Sequence, residues 1–343
     1  MRSLICTRPG EMEYREMNAP LAQQGQAILK VRRIGICGTD LHAYEGTQPY
    51  FEYPRILGHE LAGDIVDLDG APGFMPGETV TVIPYFHCGH CIACRSGKPN
   101  CCVNIKVCGV HIDGGMVDYL SVPSSSLVHG GGLTIDELAL VEPLAIGAHA
   151  VARAGVGEGE FVLVAGAGPI GLGIMASARI AGGEVIALDT NADRLAFCRD
   201  HLDILHTIQV GTAGEPVKAR LAEITRGDMP SVIFDATGNL RAIRDAFSWL
   251  AHGGRYVLVG LQKEEIAFSH PEFHKREATL MSSRNATRAD FEGVIGLIGR
   301  KEIDPAAFVT HRVPFGKVKR DFPGWLDPSA GVIKAMINME DAS

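Results

Sequence analysis

No stretch of about eighteen uncharged apolar residues, the length a membrane-spanning helix needs, occurs in this chain. Its most apolar region, residues 160–181, is broken by several glycines. The N-terminal segment MRSLICTRPGEMEY lacks the apolar core of an export signal. A basic cluster is missing too, and the formal net charge is −8. Nucleic acid and anionic membrane are therefore not expected as partners. Internal repeats and low-complexity tracts are absent. The expected location is the cytoplasm, where nine cysteines point to metal rather than to disulfides.

What is present fits a soluble globular protein. Apolar residues make up 46% and charged residues 21% of 343 positions, enough chain for two domains, each with its own core. Residues 27–36 (AILKVRRIGI) alternate apolar and charged in the manner of a half-buried strand. LAGDIVDL and ETVTVIP are further strand-like pieces among Gly and Pro turns. This half reads as β-rich, with long loops carrying Cys and His.

Near residue 145 the texture changes. EFVLVAGAGPIGLGIMASARIAGGEVIALD reads as strand, glycine turn, helix and strand. A helix over 191–201, the strand SVIFDAT, the helix LRAIRDAFSWL and the strand RYVLVGL follow. Alternation at this rhythm implies an α/β fold with a doubly wound parallel sheet. After residue 285 the pattern turns irregular, and the tail is assigned back to the first half. The expected division is 1–148 with 285–343 as one domain, and 149–284 as the other.

In CGHCIACRSGKPNCC, Cys88, Cys91 and Cys94 follow at intervals of three and Cys102 comes eight later. Four thiolates on one loop make a closed tetrahedral zinc site, whose role is structural. Spacing favours Cys102 over Cys101 as the fourth ligand. Free thiols and a redox pair are the competing readings.

A second constellation is scattered. Cys37 lies in GICGTDLHAYEG, His59 and Glu60 in ILGHELAG, and Glu142 in LVEPLAIGAHA. Together they offer a thiolate, an imidazole and a carboxylate, the three-ligand set of a catalytic zinc with one open position. An alcohol held there loses its proton near neutral pH, and hydride can then leave the carbinol carbon. Thr39 is the candidate first proton acceptor, passing the proton towards His42. The bland alternatives are a turn-capping hydroxyl and a surface histidine.

Gly166, Gly168, Pro169, Ile170 and Gly171 form a glycine turn that follows the strand FVLVA and opens a helix. In that context GxGxxG predicts a dinucleotide site, with pyrophosphate at the helix N-terminus. Asp189 ends the next strand. Its carboxylate suits the ribose hydroxyls and favours NAD over NADP; the competing reading makes it the N-cap of the following helix. Arg194 is a further cofactor candidate, or a solvated helix residue.

ICGTDLH, LGHE, CGHCIACRSGKPNCC, EPLAIGAHA and GAGPIGLG, in that order, resemble the zinc-containing medium-chain alcohol dehydrogenase family over nearly the whole chain. The resemblance implies a GroES-like catalytic domain split around a Rossmann domain, NAD, two zinc ions per subunit, and a homodimer or homotetramer. It places the catalytic zinc on Cys37, His59 and Glu142, the last standing where vertebrate-type members carry Cys, as in the polyol and threonine dehydrogenase branch. It makes Glu60 a glutamate beside the metal that can approach it during exchange, and puts the structural zinc on Cys88, Cys91, Cys94 and Cys102.

QPYFEYPRILGHE, NCCVNIKVCGVHIDGG and FSHPEFHKREATLMSSRNAT look like bacterial L-galactonate or L-gulonate 5-dehydrogenases. That similarity implies oxidation of the C5 hydroxyl of a sugar acid, a small polyhydroxy substrate. Such a substrate needs a cation for its carboxylate; Arg284 is the candidate, with His111 and Lys106 as further cations and Tyr85 and Phe51 as lining. The alternatives are an L-threonine 3-dehydrogenase-like enzyme, a polyol or butanediol dehydrogenase, and, in another class, a non-catalytic NAD-sensing zinc protein.

Overall fold

The computed structural model describes residues 1–49, 51–69, 73–211 and 216–340. The chain divides into two compact units, Met1–Pro143 with Thr287–Ser343, and Leu144–Ala286. Among the described residues, no helix is long and apolar enough to cross a membrane.

The first unit is built on the strand Gln26–Gly35, whose residues Leu29, Val31 and Ile34, the last past an irregularity in register, are buried in a core shared with Ile65, Val80 and Phe315. Each such side chain contributes roughly 1.5–3 kcal/mol by leaving water. The strand pairs antiparallel with Glu60–Leu68, with Tyr119–Pro123 along its first half, and with Lys334–Asn338 along its last residues. The sheet runs Leu127–His129, Thr79–Val82, Glu60–Leu68, Gln26–Gly35, Lys334–Asn338, Val309–Pro314. Register decides what meets at its end. Gly35 pairs with Glu60 on one side and with Met336 on the other. Cys37, His59, Glu60 and Lys334 are thereby gathered at one edge.

A loop was expected after Gly35, but a helix, Gly38–Glu45, starts there with Cys37 as its N-cap. The Asp40 carboxylate accepts the Cys37 amide at 2.9 Å, satisfying a donor that the helix start would leave open. The short, polar segment has little apolar periodicity, which is why the pattern did not show it.

The second unit holds six parallel strands in the order His206–Gln209, Glu184–Asp189, Phe161–Ala165, Val232–Asp235, Arg255–Leu258, Thr279–Ser282. Strand order reverses between Phe161–Ala165 and Val232–Asp235. In doubly wound sheets, ligands bind beyond the carboxyl ends at that switch point. The helix Pro169–Ile180 opens just past it, with Gly168 as N-cap and Pro169 in its first turn.

Candidate active site

The four thiols Cys88, Cys91, Cys94 and Cys102 lie within 4.8 Å of one another. Sulfur separations are 3.5 Å for Cys91–Cys94, 3.9 Å for Cys91–Cys102 and 3.5 Å for Cys88–Cys102. A tetrahedron with bonds of about 2.3 Å has edges of about 3.8 Å, so the set is already shaped for one zinc, and the sulfurs are too far apart for disulfides. The amides of Cys88 and Asn104 donate to the Cys102 sulfur at 3.3 and 3.4 Å. The Cys94 amide lowers the Cys91 thiol to about 6, and the His90 amide lowers that of Cys88 to about 7. Cys101 is exposed and outside the cluster.

Cys37, His59 and Glu60 form a second group whose donor atoms lie within 4.8 Å of one another. His59 is buried, and its Nδ1 makes no hydrogen bond, standing 3.7 Å from Asp40 Oδ1. Asp40 is wholly buried and also accepts the Gly58 amide at 3.0 Å. Burial works against a charged imidazole at His59, but Asp40, Cys37 and Glu142 outweigh it and hold its pKa well above the ordinary value.

Glu142 sits in the first turn of the helix Val141–Ala154 and is 1% exposed. Burial pushes its carboxyl up to about 7, against the lowering effect of His59. Oε1 accepts the Tyr85 hydroxyl, while Oε2 is buried without a partner. A buried carboxylate oxygen lacking a partner is expensive unless something binds it. Cys37 and His59 group by distance with Glu60 and not with Glu142, but a thiol, an imidazole whose Nδ1 is turned to Asp40 and a bare carboxylate oxygen are the donor types that zinc accepts.

Both oxygens of Glu60 are instead taken by the buried Lys334 ammonium, at 2.5 and 2.7 Å. Burial lowers the Lys334 pKa, yet the pairing with Glu60 holds it above the ordinary value. The sequence reading missed Asp40 and Lys334. A lone lysine in the apolar run GVIKAMIN was the available signal for the latter.

In the second unit the glycines have separate tasks. Gly166 has φ +99°, in the left-handed region. A Cβ on Gly171 would stand 1.8 Å from the Gly166 carbonyl oxygen, whereas one on Gly168 would meet only Arg194 Nη1, at 4.0 Å. The backbone is therefore open to a ligand at Gly168 and closed-packed at Gly171. Asp189 accepts the Ala167 amide at 2.7 Å and the Asn191 amide at 2.8 Å. The helix Ala192–Leu202 is capped by Asn191, whose side chain accepts the Asp193 and Arg194 amides. The reading of Asp189 as that N-cap is thus corrected: the cap lies two residues on.

Thr39 is half-buried and His42 exposed on the helix Gly38–Glu45. His42 Nδ1 lies 3.1 Å from the Thr47 hydroxyl and 3.3 Å from Glu45. Tyr85 is 4% exposed and donates its hydroxyl to Glu142. His111 Nδ1 accepts the Val107 amide at 3.0 Å, Lys106 is exposed, and Phe51 packs edge-on against Tyr53. Arg284 belongs to the second unit, two residues beyond the strand Thr279–Ser282.

Two protein families match this chain: the alcohol dehydrogenase GroES-like domain over residues 23–131 and the zinc-binding dehydrogenase over residues 169–300. The chain belongs to the zinc-containing medium-chain alcohol dehydrogenase family and is an oxidoreductase acting on CH–OH groups. It is 42% identical over 339 residues to L-galactonate-5-dehydrogenase of Escherichia coli K12, covering 98% of each chain. It is 32% identical to a sorbitol dehydrogenase of Halalkalibacterium halodurans, covering 91% of this chain and 92% of that one. Among solved structures, E. coli CFT073 RspB, an alcohol dehydrogenase complexed with NADH, matches with TM-score 0.91 and 29% identity over 99% of both chains.

Proposed function

We propose that the chain oxidises the C5 hydroxyl of a hexonate such as L-galactonate or L-gulonate to a ketone, passing hydride to NAD. One observation carries the substrate class: full-length similarity to L-galactonate-5-dehydrogenase. The reaction class is supported by the Cys37 thiol grouped with the His59 ring and by the buried Glu142 oxygen that has no hydrogen-bond partner.

Cys37, His59 and Glu142 would hold the catalytic zinc, and Cys88, Cys91, Cys94 and Cys102 the structural one. When bound, the catalytic zinc supplies a Lewis acid that lowers the pKa of the substrate alcohol. Asp40 fixes the His59 ring from behind, as carboxylates behind metal-bound histidines do. Thr39 takes the alcohol proton, and His42, three residues on along the same helix face, delivers it to solvent. Gly166, Gly168, Pro169, Ile170 and Gly171 cradle the pyrophosphate at the helix N-terminus. Asp189 holds that loop and repels a 2′-phosphate, and Arg194, beside Gly168, supplies positive charge there. Arg284 is the cation for the hexonate carboxylate. Assembly as a homodimer or homotetramer is part of the same reading.

The test is NADH formation by zinc-loaded enzyme on L-galactonate, L-gulonate, L-threonine and sorbitol. Hexonates should be oxidised with the highest kcat/KM. Preference for sorbitol or threonine overturns the substrate class, and no turnover on any alcohol overturns the reaction.

A further inference from the structure

Two glutamates stand at the Cys37 and His59 end of the sheet, and a zinc with an open position can use only one of them. Glu60 is already grouped with Cys37 and His59 by distance, and Glu142 is buried with one oxygen that has no hydrogen-bond partner. Nothing in the identity of two carboxylates says which should bind. Their partners differ, however. Lys334 Nζ donates to both oxygens of Glu60 and to the Ile36 carbonyl at 3.1 Å. Tyr85 donates to one oxygen of Glu142 and leaves the other bare.

We propose that Lys334 and Tyr85 are positioning residues that choose the ligand: Lys334 withholds Glu60, and Tyr85 turns Glu142 so that one oxygen alone faces the metal. The proposal rests on the reading of Cys37, His59 and Glu142 as the catalytic ligands.

Three further features fit it. Lys334 is 2% exposed and Glu60 fully buried, so neither charge has water as an alternative partner. Gly35 makes the room: a Cβ there would stand 2.0 Å from Glu60 Oε2, so the glycine lets the carboxylate lie back towards Lys334. The charges also balance. A divalent ion is neutralised by the Cys37 thiolate and one Glu142 carboxylate, and Lys334 separately neutralises Glu60. On the other side, the Tyr85 ring is held edge-on by Phe291, with centroids 6.5 Å apart, which fixes where its hydroxyl points.

The choice can be broken from either side. With Lys334→Met, Glu60 is an unpaired buried carboxylate beside a cation and enters the open position. With Tyr85→Phe, Glu142 loses the donor that orients it.

The experiment uses the full-length zinc-loaded enzyme and its cobalt(II)-substituted form. Variants are Tyr85→Phe, Lys334→Met, Lys334→Met with Glu60→Gln, and Glu142→Ala as control. Zinc loss under chelator, cobalt ligand-field bands and kcat/KM are followed, with thermal melts as a folding check. For Tyr85→Phe, catalytic-site zinc should leave about ten- to a hundred-fold faster, the scale of losing a group that orients a ligand, while the four-cysteine zinc leaves at the wild-type rate. Lys334→Met should keep its zinc, shift the cobalt bands towards higher coordination and lose about ten-fold or more in kcat/KM. Adding Glu60→Gln should restore the bands and most of the loss, which a merely space-filling lysine would not show. If Lys334→Met does not fold, Lys334→Gln is used with the same band shift expected.

Wild-type zinc loss in Tyr85→Phe, unshifted bands in the Lys334 variant, or no recovery in the double variant overturns the selection. Should Glu142→Ala keep its zinc at the wild-type rate, Glu142 is not a ligand and the underlying reading fails instead.

Discussion

Two alanine substitutions in the glycine loop should fail for opposite reasons. In Gly171→Ala the added carbon would stand 1.8 Å from the Gly166 carbonyl oxygen and 2.9 Å from its carbon. Carbon–oxygen contacts sit near 3.3 Å, so the loop and helix must part by about 1.5 Å. Both are backbone, and no side chain can rotate out of the way. Overpacking costs about 1–3 kcal/mol, and with both clashing atoms in the backbone the upper end applies, offset by about 1 kcal/mol of helix propensity. The folded state should lose about 2 kcal/mol, and the displaced loop should weaken NADH binding. In Gly168→Ala the new carbon has only Arg194 Nη1 near it, at 4.0 Å, and the backbone there (φ −81°) suits alanine. Stability should therefore stay within about 0.5 kcal/mol of wild type, while NADH binding falls because the methyl occupies the pyrophosphate approach. Thermal melts and fluorescence titration with NADH read both quantities. An unchanged melt in Gly171→Ala, or wild-type NADH affinity in Gly168→Ala, refutes the division of labour.

Cys37→Ala should abolish alcohol oxidation and leave NADH binding near wild type; retained turnover would mean that the catalytic metal lies elsewhere. Asp189→Ala removes the acceptor for two amides, so NADH affinity should drop and discrimination against NADPH should relax; an unmoved cofactor preference limits Asp189 to holding the loop. In metal-free enzyme the Glu142 carboxyl is raised from 4.5 to about 7. The folded state then keeps a proton that the unfolded chain has released, so stability should fall as pH rises through that window. Glu142→Gln should flatten this slope in melts from about pH 5 to pH 8, and an unchanged slope assigns it to another group.

The strength of a sequence signal tracked how local the physics was. The strand–glycine–helix run at 161–180 was legible because hydrophobic run, turn chemistry and helix start agree within twenty residues. The cysteine cluster was legible because one loop supplies every donor. Cys37, His59 and Glu142 come from three segments and stood out only through motif order. The helix at Gly38–Glu45 was illegible because its eight residues have almost no apolar face. Lys334 was missed for a different reason: its role depends on the register that sets Gly35 between Glu60 and Met336, a pairing across some three hundred residues. The bond from Tyr85 to Glu142 was not legible, because sequence shows a polar ring but not which carboxylate its hydroxyl meets.

On the proposed function, sulfur, imidazole and carboxylate from those three segments share one ion. Anomalous scattering at the zinc edge from crystals of the zinc-loaded enzyme tests it directly. Two peaks per protomer are expected, one amid Cys88, Cys91, Cys94 and Cys102, the other touching Cys37, His59 and Glu142 with Glu60 still on Lys334. A missing second peak, or one bound by Glu60 in place of Glu142, would contradict it.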